Sequence, residues 1–85
     1  MVVTSSKMLA QVMREFRYRQ GLSQTDLAKQ AAIKQATVSA FENMPDSTKL
    51  ETLFKLLAGL ELELVVQPRP KNMPSATQEE WGDVW

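Results

Sequence analysis

Residues 22–43, LSQTDLAKQAAIKQATVSAFEN, restrict the fold of this chain more than any other stretch. Two apolar patterns of helical spacing follow each other here, Leu27 with Ala31 and then Val38 with Phe41. Because only a few residues separate them, the connection has to be a tight turn. Helices this short gain little from propensity alone, so they must bury their apolar sides against a neighbour. The stretch therefore predicts two short helices packed against each other.

Local signals mark where the first of these helices begins. Ser23 is a favourable N-cap, and Asp26 three residues later completes a short capping box. Leu22 and Leu27 have the spacing of a hydrophobic staple across this cap, and Ile33 and Val38 repeat that spacing at the next helix. The pattern indicates that both helix starts are fixed by their own residues.

Four helices and one strand account for residues 6–67. The helices are predicted from about Ser6 to Arg19, from the Ser23 cap onward, from Gln35 to about Asn43, and from about Lys49 to Ala58. Gly21, Pro45 and Gly59 are expected to end helices, and Asp46, Ser47 and Thr48 offer caps for the fourth. The inward stripe of the first helix is predicted to be Leu9, Val12, Met13 and Phe16. The fold class is an all-α bundle with one late β-strand.

The stretch ELELVVQ, residues 61–67, changes the apolar period from 3.6 to 2 and predicts a strand. A single strand has no partner inside a helical chain, so we expect it to pair with the same strand of a second copy in a two-fold dimer. The wide apolar stripe of the fourth helix also needs a second covering surface. The predicted dimer contacts are Leu56, Leu60, Leu62, Leu64 and Val66. The alternative is a strand folded back alone on the fourth helix.

Residues 68–85 predict a disordered acidic tail after a domain at 1–67, because proline and small polar residues replace any apolar period. Both tryptophans, Trp81 and Trp85, lie in its last five residues. Burying one indole contributes roughly 4–6 kcal/mol before costs, whereas ordering backbone costs about 1–2 kcal/mol per residue. If the tail docks on a protein partner, only its last few residues should therefore become ordered, and the main partner interface must lie elsewhere on the folded dimer. The alternative is that the tryptophans fold back on their own dimer.

Composition excludes most enzyme chemistry. The chain has no cysteine and no histidine, so it lacks the usual thiolate, general base and zinc ligands. We expect a non-enzyme without cofactor, small-molecule ligand or metal site. Residues 1–10 lack the pattern of a signal peptide and no apolar run is long enough for a membrane span, which predicts an intracellular protein.

Charge is distributed unevenly along the chain. Residues 1–40 contain six lysines and arginines against two acids, whereas residues 41–85 contain four against eight. A basic half and an acidic half indicate one surface for a polyanion and another part kept away from it. Ordinary solvated charge is the alternative explanation.

The second short helix presents a slim polar face suited to the major groove, as the second helix of a helix-turn-helix does. Gln35 can bond an adenine edge in a bidentate manner, and Ala36 can lie against a thymine methyl. Lys34 occupies the N-cap position, where Ser or Asp would stabilise the helix by about 1 kcal/mol. A residue that departs from the N-cap preference at an exposed position often has a function, so Lys34 is predicted to contact a guanine edge or a phosphate. A tolerated surface lysine is the alternative.

Phosphate contacts are predicted around the same surface, where they fix register without reading sequence. The candidates are Ser23, Gln24 and Thr25 at a helix N-terminus, with Arg14, Arg19, Lys29 and Lys7 as cations. Capping explains the first three equally well, and simple solvation explains any one cation. Arg17 and Glu42 are instead assigned to structure, as an ion pair between the first helix and the end of the third.

Residues 22–43, and IKQATVSAFEN above all, resemble the helix-turn-helix class of phage lambda-type repressors, and the chain is similar to HipB-type antitoxins. The resemblance implies a dimer joined by a small intermolecular β-lid, which represses its own operon at palindromic double-stranded operators and neutralises a HipA-type serine/threonine kinase toxin. It also implies base contacts from Lys34, Gln35, Ala36 and Ser39. In the tail Trp85 matches the family and Trp81 is extra. A stand-alone phage or controller-type repressor without a toxin partner is the alternative.

Overall fold

The structure, a computed structural model, describes residues 1–70, and these contain four α-helices and one short 3-10 helix. The elements are α1 (Ser6–Arg19), α2 (Gln24–Ala31), α3 (Gln35–Asn43), the 3-10 helix (Pro45–Ser47) and α4 (Leu50–Gly59). The predicted bounds of the first and third helices agree with those of α1 and α3, and α4 is shifted by one residue. None of the helices in residues 1–70 has the length and apolarity needed to cross a bilayer.

The helices pack around one apolar core. Its most completely buried large side chains are Val38, Leu56 and Leu60, each exposing 1% or less of its surface. Leu27 and Phe41 join them, so α2 and α3 bury the apolar sides that the sequence predicted. In α1 the fully buried positions are Ala10, Met13 and Arg17, while Leu9 is half-buried against the core and Val12 and Phe16 are also half-buried. The predicted stripe of α1 is therefore displaced by one position.

Three helices end with the same hydrogen-bond arrangement, the Schellman motif. Leu22, Ile33 and Leu62 donate their backbone N–H to the carbonyl oxygens of Arg17, Ala28 and Leu57, at 3.0, 2.9 and 2.8 Å. The residues before them, Gly21, Ala32 and Glu61, adopt left-handed backbone angles with φ of 69°, 58° and 58°. Leu22, Ile33 and Leu62 then pack against the core, which fixes the direction in which the chain leaves each helix.

The end of α4 differs from the expectation. Gly59 was predicted to stop this helix, but it is the last helical residue, and the left-handed position falls at Glu61. A Cβ at Gly59 would lie 3.0 Å from the Leu27 Cδ1 atom and 3.2 Å from the backbone nitrogen of Ala31. The missing side chain thus allows α4 to approach α2 closely. The predicted caps are also wrong, because the N-cap of α4 is Lys49, which makes no side-chain cap hydrogen bond.

Two of the residues that were predicted to form dimer contacts are buried in the core of a single chain. Leu56 and Leu60 expose 0% and 1% of their surface, so their side chains pack within one copy and cannot meet a second. The apolar side chains that α4 exposes are instead Leu50 at 71% and Phe54 at 52%. The prediction of Leu56 and Leu60 as dimer contacts is therefore wrong, because the apolar stripe of α4 is wide enough for either face to be buried.

The expected strand over residues 61–67 is not formed in this single chain: residues 62–70 have no regular secondary structure. A strand needs a hydrogen-bonded neighbour, and one copy offers none. Leu62 is half-buried against the core, whereas Leu64, Val65 and Val66 are 48, 69 and 74% exposed. These exposures do not support the alternative of a strand folded back on α4.

The three helix ends allow a matched test of backbone strain. Replacing Ala32 or Glu61 by glycine should raise the free energy of unfolding by about 0.5–1 kcal/mol, because a left-handed penalty of about 1–2 kcal/mol outweighs the extra unfolded-state entropy. Gly21→Ala should lower the free energy of unfolding by a similar amount. Its added Cβ would meet no atom within 4 Å, so this loss would come from the backbone and not from a clash. Urea denaturation followed by circular dichroism measures all three. A loss of stability in both glycine variants would contradict this account.

Candidate nucleic-acid interface

One side of α3 is buried and the other forms a slim exposed surface. Val38 and Phe41 face the core, whereas Gln35, Ala36, Ala40 and Asn43 are exposed and Ser39 is half-buried. The Asn43 side-chain amide donates to the Ser39 hydroxyl at 3.2 Å, which orders the C-terminal part of this surface. The predicted base-reading positions on α3 therefore share one accessible face with little side-chain bulk. Such a face can bring a helix backbone close to base edges in a major groove.

Lys34 stands at the entrance to this face. It is the N-cap residue of α3, with extended backbone angles, and its side chain makes no cap hydrogen bond. The lysine is exposed, so its ammonium can extend away from the protein. The structure confirms that α3 begins with a cation where a hydroxyl or carboxylate cap would stabilise it, and this leaves the first N–H groups of the helix without a side-chain partner.

The orientation of the Gln35 side chain is fixed by a second glutamine. Gln35 Nε2 donates to Gln24 Oε1 at 2.6 Å, and Gln24 Nε2 in turn donates to Glu42 Oε1 at 3.0 Å. The Gln35 oxygen and one amide hydrogen stay available, as the bidentate contact to adenine requires only one donor and one acceptor. Gln24 and Gln35 are the first residues of α2 and α3. Sequence reasoning missed their contact, because the distance between the two helix starts depends on the angle between α2 and α3.

Glu42 is held by a buried arginine. Arg17 donates to both Glu42 oxygens, from Nε at 2.7 Å and from Nη2 at 3.0 Å, and its Nη1 donates to the Leu22 carbonyl at 2.9 Å. The two side chains expose only 7% and 4% of their surface. The ion pair predicted between the first helix and the end of the third is confirmed. We call Arg17, Glu42, Gln24 and Gln35 the polar network.

The network perturbs the pKa values of its charged groups. Burial by itself would raise the pKa of the Glu42 carboxyl, but hydrogen bonds from Arg17 and Gln24 and the positive charges of Arg17 and Arg14 outweigh it, so the pKa is lowered. The hydrogen bond to Glu42 raises the pKa of Arg17, against the opposing effect of burial. Both groups are therefore fully charged near neutral pH.

The N-terminus of α2 combines capping with exposed donors. The Ser23 hydroxyl accepts from the Asp26 backbone N–H, and the Ser23 N–H donates to the Asp26 carboxylate, both at 3.0 Å. These bonds confirm the capping box, and the backbone bond from Ser23 lowers the pKa of Asp26. Thr25 is exposed and Gln24 is half-buried. Ser23 thus has a structural task, and its hydroxyl hydrogen is still available to an external oxygen.

The cations proposed for phosphate contacts are exposed. Arg14 is half-exposed, lies 4.0 Å from Glu42, and donates from Nε to the Tyr18 hydroxyl at 2.9 Å. Arg19 lies in the last turn of α1, Lys29 in the last turn of α2, and Lys7 in the first turn of α1. Trp81 and Trp85, predicted to bind a partner, lie outside the described residues.

Comparison with known proteins assigns the family. The sequence profile of the helix-turn-helix family matches residues 13–66. The chain is 41% identical to the antitoxin HipB of Escherichia coli K12 over 78 residues, which cover 92% of this chain and 89% of that protein. The chain belongs to the HipB family of helix-turn-helix proteins.

Solved structures of this family agree in fold. A chain of the HipA-HipB-O2-O3 complex superposes with a TM-score of 0.79 at 43% identity, covering 82% of this chain and 99% of that chain. A chain of the HipB-O4 20mer complex gives the same TM-score, identity and coverage. Such agreement extends the match beyond the helix-turn-helix segment to nearly the whole length of those chains.

The buried pair predicts how stability depends on pH. Glu42→Gln should lower the free energy of unfolding by about 3 kcal/mol at pH 7, because Arg17 then lacks its buried counterion. Since the folded-state pKa of Glu42 lies below the ordinary value of 4.5, its contribution is fully present above that pH. The contribution is lost as pH falls through the folded-state pKa. Urea denaturation at pH 7 and pH 3 should therefore show the difference between wild type and variant shrinking in acid.

Asp26→Asn provides the control for this measurement. The Asp26 pKa is also lowered, but its carboxylate is exposed at the start of α2 and makes no contact with Arg17. We expect only a small loss at pH 7 from this variant. An equal loss in both variants, or a Glu42→Gln difference that stays constant down to pH 3, would contradict the assigned role of the pair.

Proposed function

We propose that the protein is a sequence-specific DNA-binding repressor of its own toxin–antitoxin operon. The observation that supports this most is the Gln35 side chain, which is exposed at the start of α3 and held by Gln24 and the buried Glu42. A base-reading side chain discriminates well only if its orientation is fixed before it meets DNA. Lys34, Gln35, Ala36 and Ser39 contact bases in this proposal. The similarity to chains of the HipA-HipB-O2-O3 complex and of the HipB-O4 20mer complex supports the same assignment.

The remaining DNA contacts are to phosphates. Ser23, Gln24 and Thr25 donate from the N-terminus of α2, where backbone N–H groups favour an anion. Arg14, Arg19 and Lys29 are exposed and supply positive charge for these contacts. These contacts orient the protein on the duplex and make binding depend on salt, whereas the α3 face selects the sequence.

The DNA-binding form is a homodimer in this proposal. Leu50 and Phe54 of α4 and the segment Leu64–Val65–Val66 expose apolar surface that a second copy can cover. Pairing of residues 61–67 with the same segment of the partner supplies the hydrogen bonds that the single chain lacks. Two-fold symmetry then presents two α3 helices to a palindromic operator, with half-sites about one helical turn of DNA (about 34 Å) or a multiple of it apart.

The second activity we propose is that of an antitoxin. Residues 1–67 form the dimerisation and DNA-binding domain, and residues 68–85 form an acidic tail that contacts a HipA-type serine/threonine kinase toxin through Trp81 and Trp85. The HipA-HipB-O2-O3 complex, in which a relative is described together with HipA, supports this partner. The protein acts by binding in the bacterial cytoplasm and has no catalytic role, since it lacks histidine and cysteine.

Loss of the Gln35 amide should reduce selectivity. On DNA from upstream of its own gene, Gln35→Ala should weaken specific binding by roughly 5- to 150-fold, corresponding to about 1–3 kcal/mol for one bidentate contact. Gln30→Ala, at an exposed glutamine on α2, is the matched control and should bind as wild type. Gel shifts with operator and scrambled DNA measure both. If wild type shows no sequence-specific, salt-dependent shift, the repressor assignment fails.

The salt dependence of binding distinguishes phosphate contacts from base contacts. Lys29→Ala should weaken binding to operator and scrambled DNA alike and reduce the slope of log affinity against log salt by about 1. Lys55→Ala removes an exposed cation from α4 and serves as its control, with an unchanged slope. If Lys29→Ala weakens binding to the operator but not to scrambled DNA, the assignment of Lys29 to a phosphate contact is contradicted.

The tail should contribute part of the affinity for the kinase toxin. Because the cost of ordering its neighbours nearly offsets the gain from burying Trp85, only a small net gain remains, and deleting residues 72–85 should weaken binding only roughly tenfold, about 1.4 kcal/mol. Isothermal titration calorimetry with the purified toxin measures this, with Ser75→Ala in the full chain as control. Complete loss of binding would contradict a main interface on the folded body, and an unchanged affinity would remove the role of the tail.

A further inference from the structure

A groove lies on the outward side of α1, away from the side chains that α1 buries. It has a volume of about 500 Å³, and its walls include Val12, Arg14, Phe16, Tyr18 and Arg19. Val12 and Phe16 are half-buried, whereas Tyr18 is 52% exposed. The groove therefore offers apolar and aromatic surface beside two arginines.

The guanidinium groups of these arginines lie beside aromatic rings. The Arg14 guanidinium carbon lies 5.6 Å from the centre of the Tyr18 ring, and that of Arg19 lies 5.7 Å from the centre of the Phe16 ring. The buried Arg17 approaches the Tyr18 ring to 4.6 Å. A guanidinium held in this way presents N–H donors to carboxylates, and its planar group can also stack against an indole.

The charges in the groove favour an acidic occupant. Arg14 and Arg19 are opposed within the groove by one acid, Glu15, and Arg14 is also 4.0 Å from Glu42. Positive charge thus remains at the Arg19 end, next to exposed aromatic surface. The occupant that matches this chemistry is a short peptide containing both carboxylates and tryptophan.

The protein's own sequence contains such a peptide. Residues 78–85, QEEWGDVW, combine three acids with both tryptophans of the chain. We propose that this segment docks in the α1 groove of its own protein when no other partner holds it. Its carboxylates pair with Arg14 and Arg19, and an indole packs against Phe16 and Tyr18.

The point where the chain leaves the core favours this contact. Gln20, directly after α1, donates from its side chain to the Leu60 carbonyl at 2.9 Å, so the end of α4 is fixed beside the end of α1. The 20 residues between Leu60 and Trp81 can reach up to about 70 Å when fully extended, which exceeds the length of α1, about 21 Å for its 14 residues. Tethering keeps the effective concentration of the segment near the millimolar range, so weak affinity suffices for docking.

Docking has a consequence that rests on the proposed function. Arg14 and Arg19 are among the cations proposed to contact phosphates, and an occupied groove neutralises both. The tail then competes with DNA for positive charge on α1. A partner that captures the tail would release these arginines.

Tryptophan fluorescence tests the docking without reference to DNA. Both tryptophans lie in residues 78–85, so all tryptophan emission comes from the proposed ligand. At low salt the full chain should show blue-shifted emission, and acrylamide quenching should be at least about twofold weaker than for the free peptide 78–85 if half or more of the tails are docked. Salt at about 1 M, where the Debye length is about 3 Å, should bring both values toward those of the peptide.

Charge reversal assigns the contact to the groove. Arg14→Glu combined with Arg19→Glu should give the emission and quenching of the free peptide, with folding checked by circular dichroism. Lys29→Glu combined with Lys55→Glu changes the same amount of charge outside the groove and should leave tail protection as in wild type. Glu79→Arg combined with Glu80→Arg alters no residue of the helices and should also abolish protection.

Combining both reversals completes the test. A chain with Arg14→Glu, Arg19→Glu, Glu79→Arg and Glu80→Arg restores opposite charges and should recover at least half of the wild-type protection. The proposal is overturned if wild-type emission already matches the free peptide at low salt. It is equally overturned if the control pair loses protection as the groove pair does, or if the combined variant recovers none.

Discussion

The side chains of Arg17 and Glu42 meet inside the protein, where leaving either charge unpaired would cost several kcal/mol. Their two hydrogen bonds reduce that cost, and the bonds from Arg17 to the Leu22 carbonyl and from Gln24 to Glu42 use further polar atoms of the pair. Each of these bonds also joins different elements. The pair therefore sets the position of α1 against α3 and of the turn that leads into α2. The geometry of the exposed α3 face depends on these positions.

Gln35 connects this buried pair to the exposed surface. Its amide donates a hydrogen bond to Gln24, and Gln24 donates one to the buried Glu42. A buried carboxylate thus orients a side chain that faces solvent. An unrestrained glutamine would lose rotamer freedom on binding, whereas one already fixed loses less. The other positions of the α3 face are small and need little ordering. The site thus combines one positioned polar side chain with a surface on which a helix backbone can approach closely.

Much of this arrangement was predictable because its signals are local. The bounds of α1 and α3, the Ser23–Asp26 capping box and the uncapped Lys34 all follow from residue type and helical spacing. The Arg17–Glu42 pair was also predicted, although its residues lie 25 positions apart. Two features were not predictable in this way. Leu56 and Leu60 are buried in one copy while Leu50 and Phe54 are exposed, and the sequence contains apolar residues on both sides of α4. The Gln24–Gln35 contact depends on the angle between two helices, which no local pattern specifies.

The sequence by itself determined the four helices, where most of them begin and end, and the residue types on the exposed face of α3. These properties depend on contacts between residues a few positions apart, whose geometry a helix fixes in advance. Tertiary structure decided which face of α4 joins the core, how closely α4 approaches α2 at Gly59, and how Gln35 is oriented. Those outcomes result from competition between packing arrangements of similar apolar content. Only the three-dimensional fit of side chains, down to a single Cβ, distinguishes them.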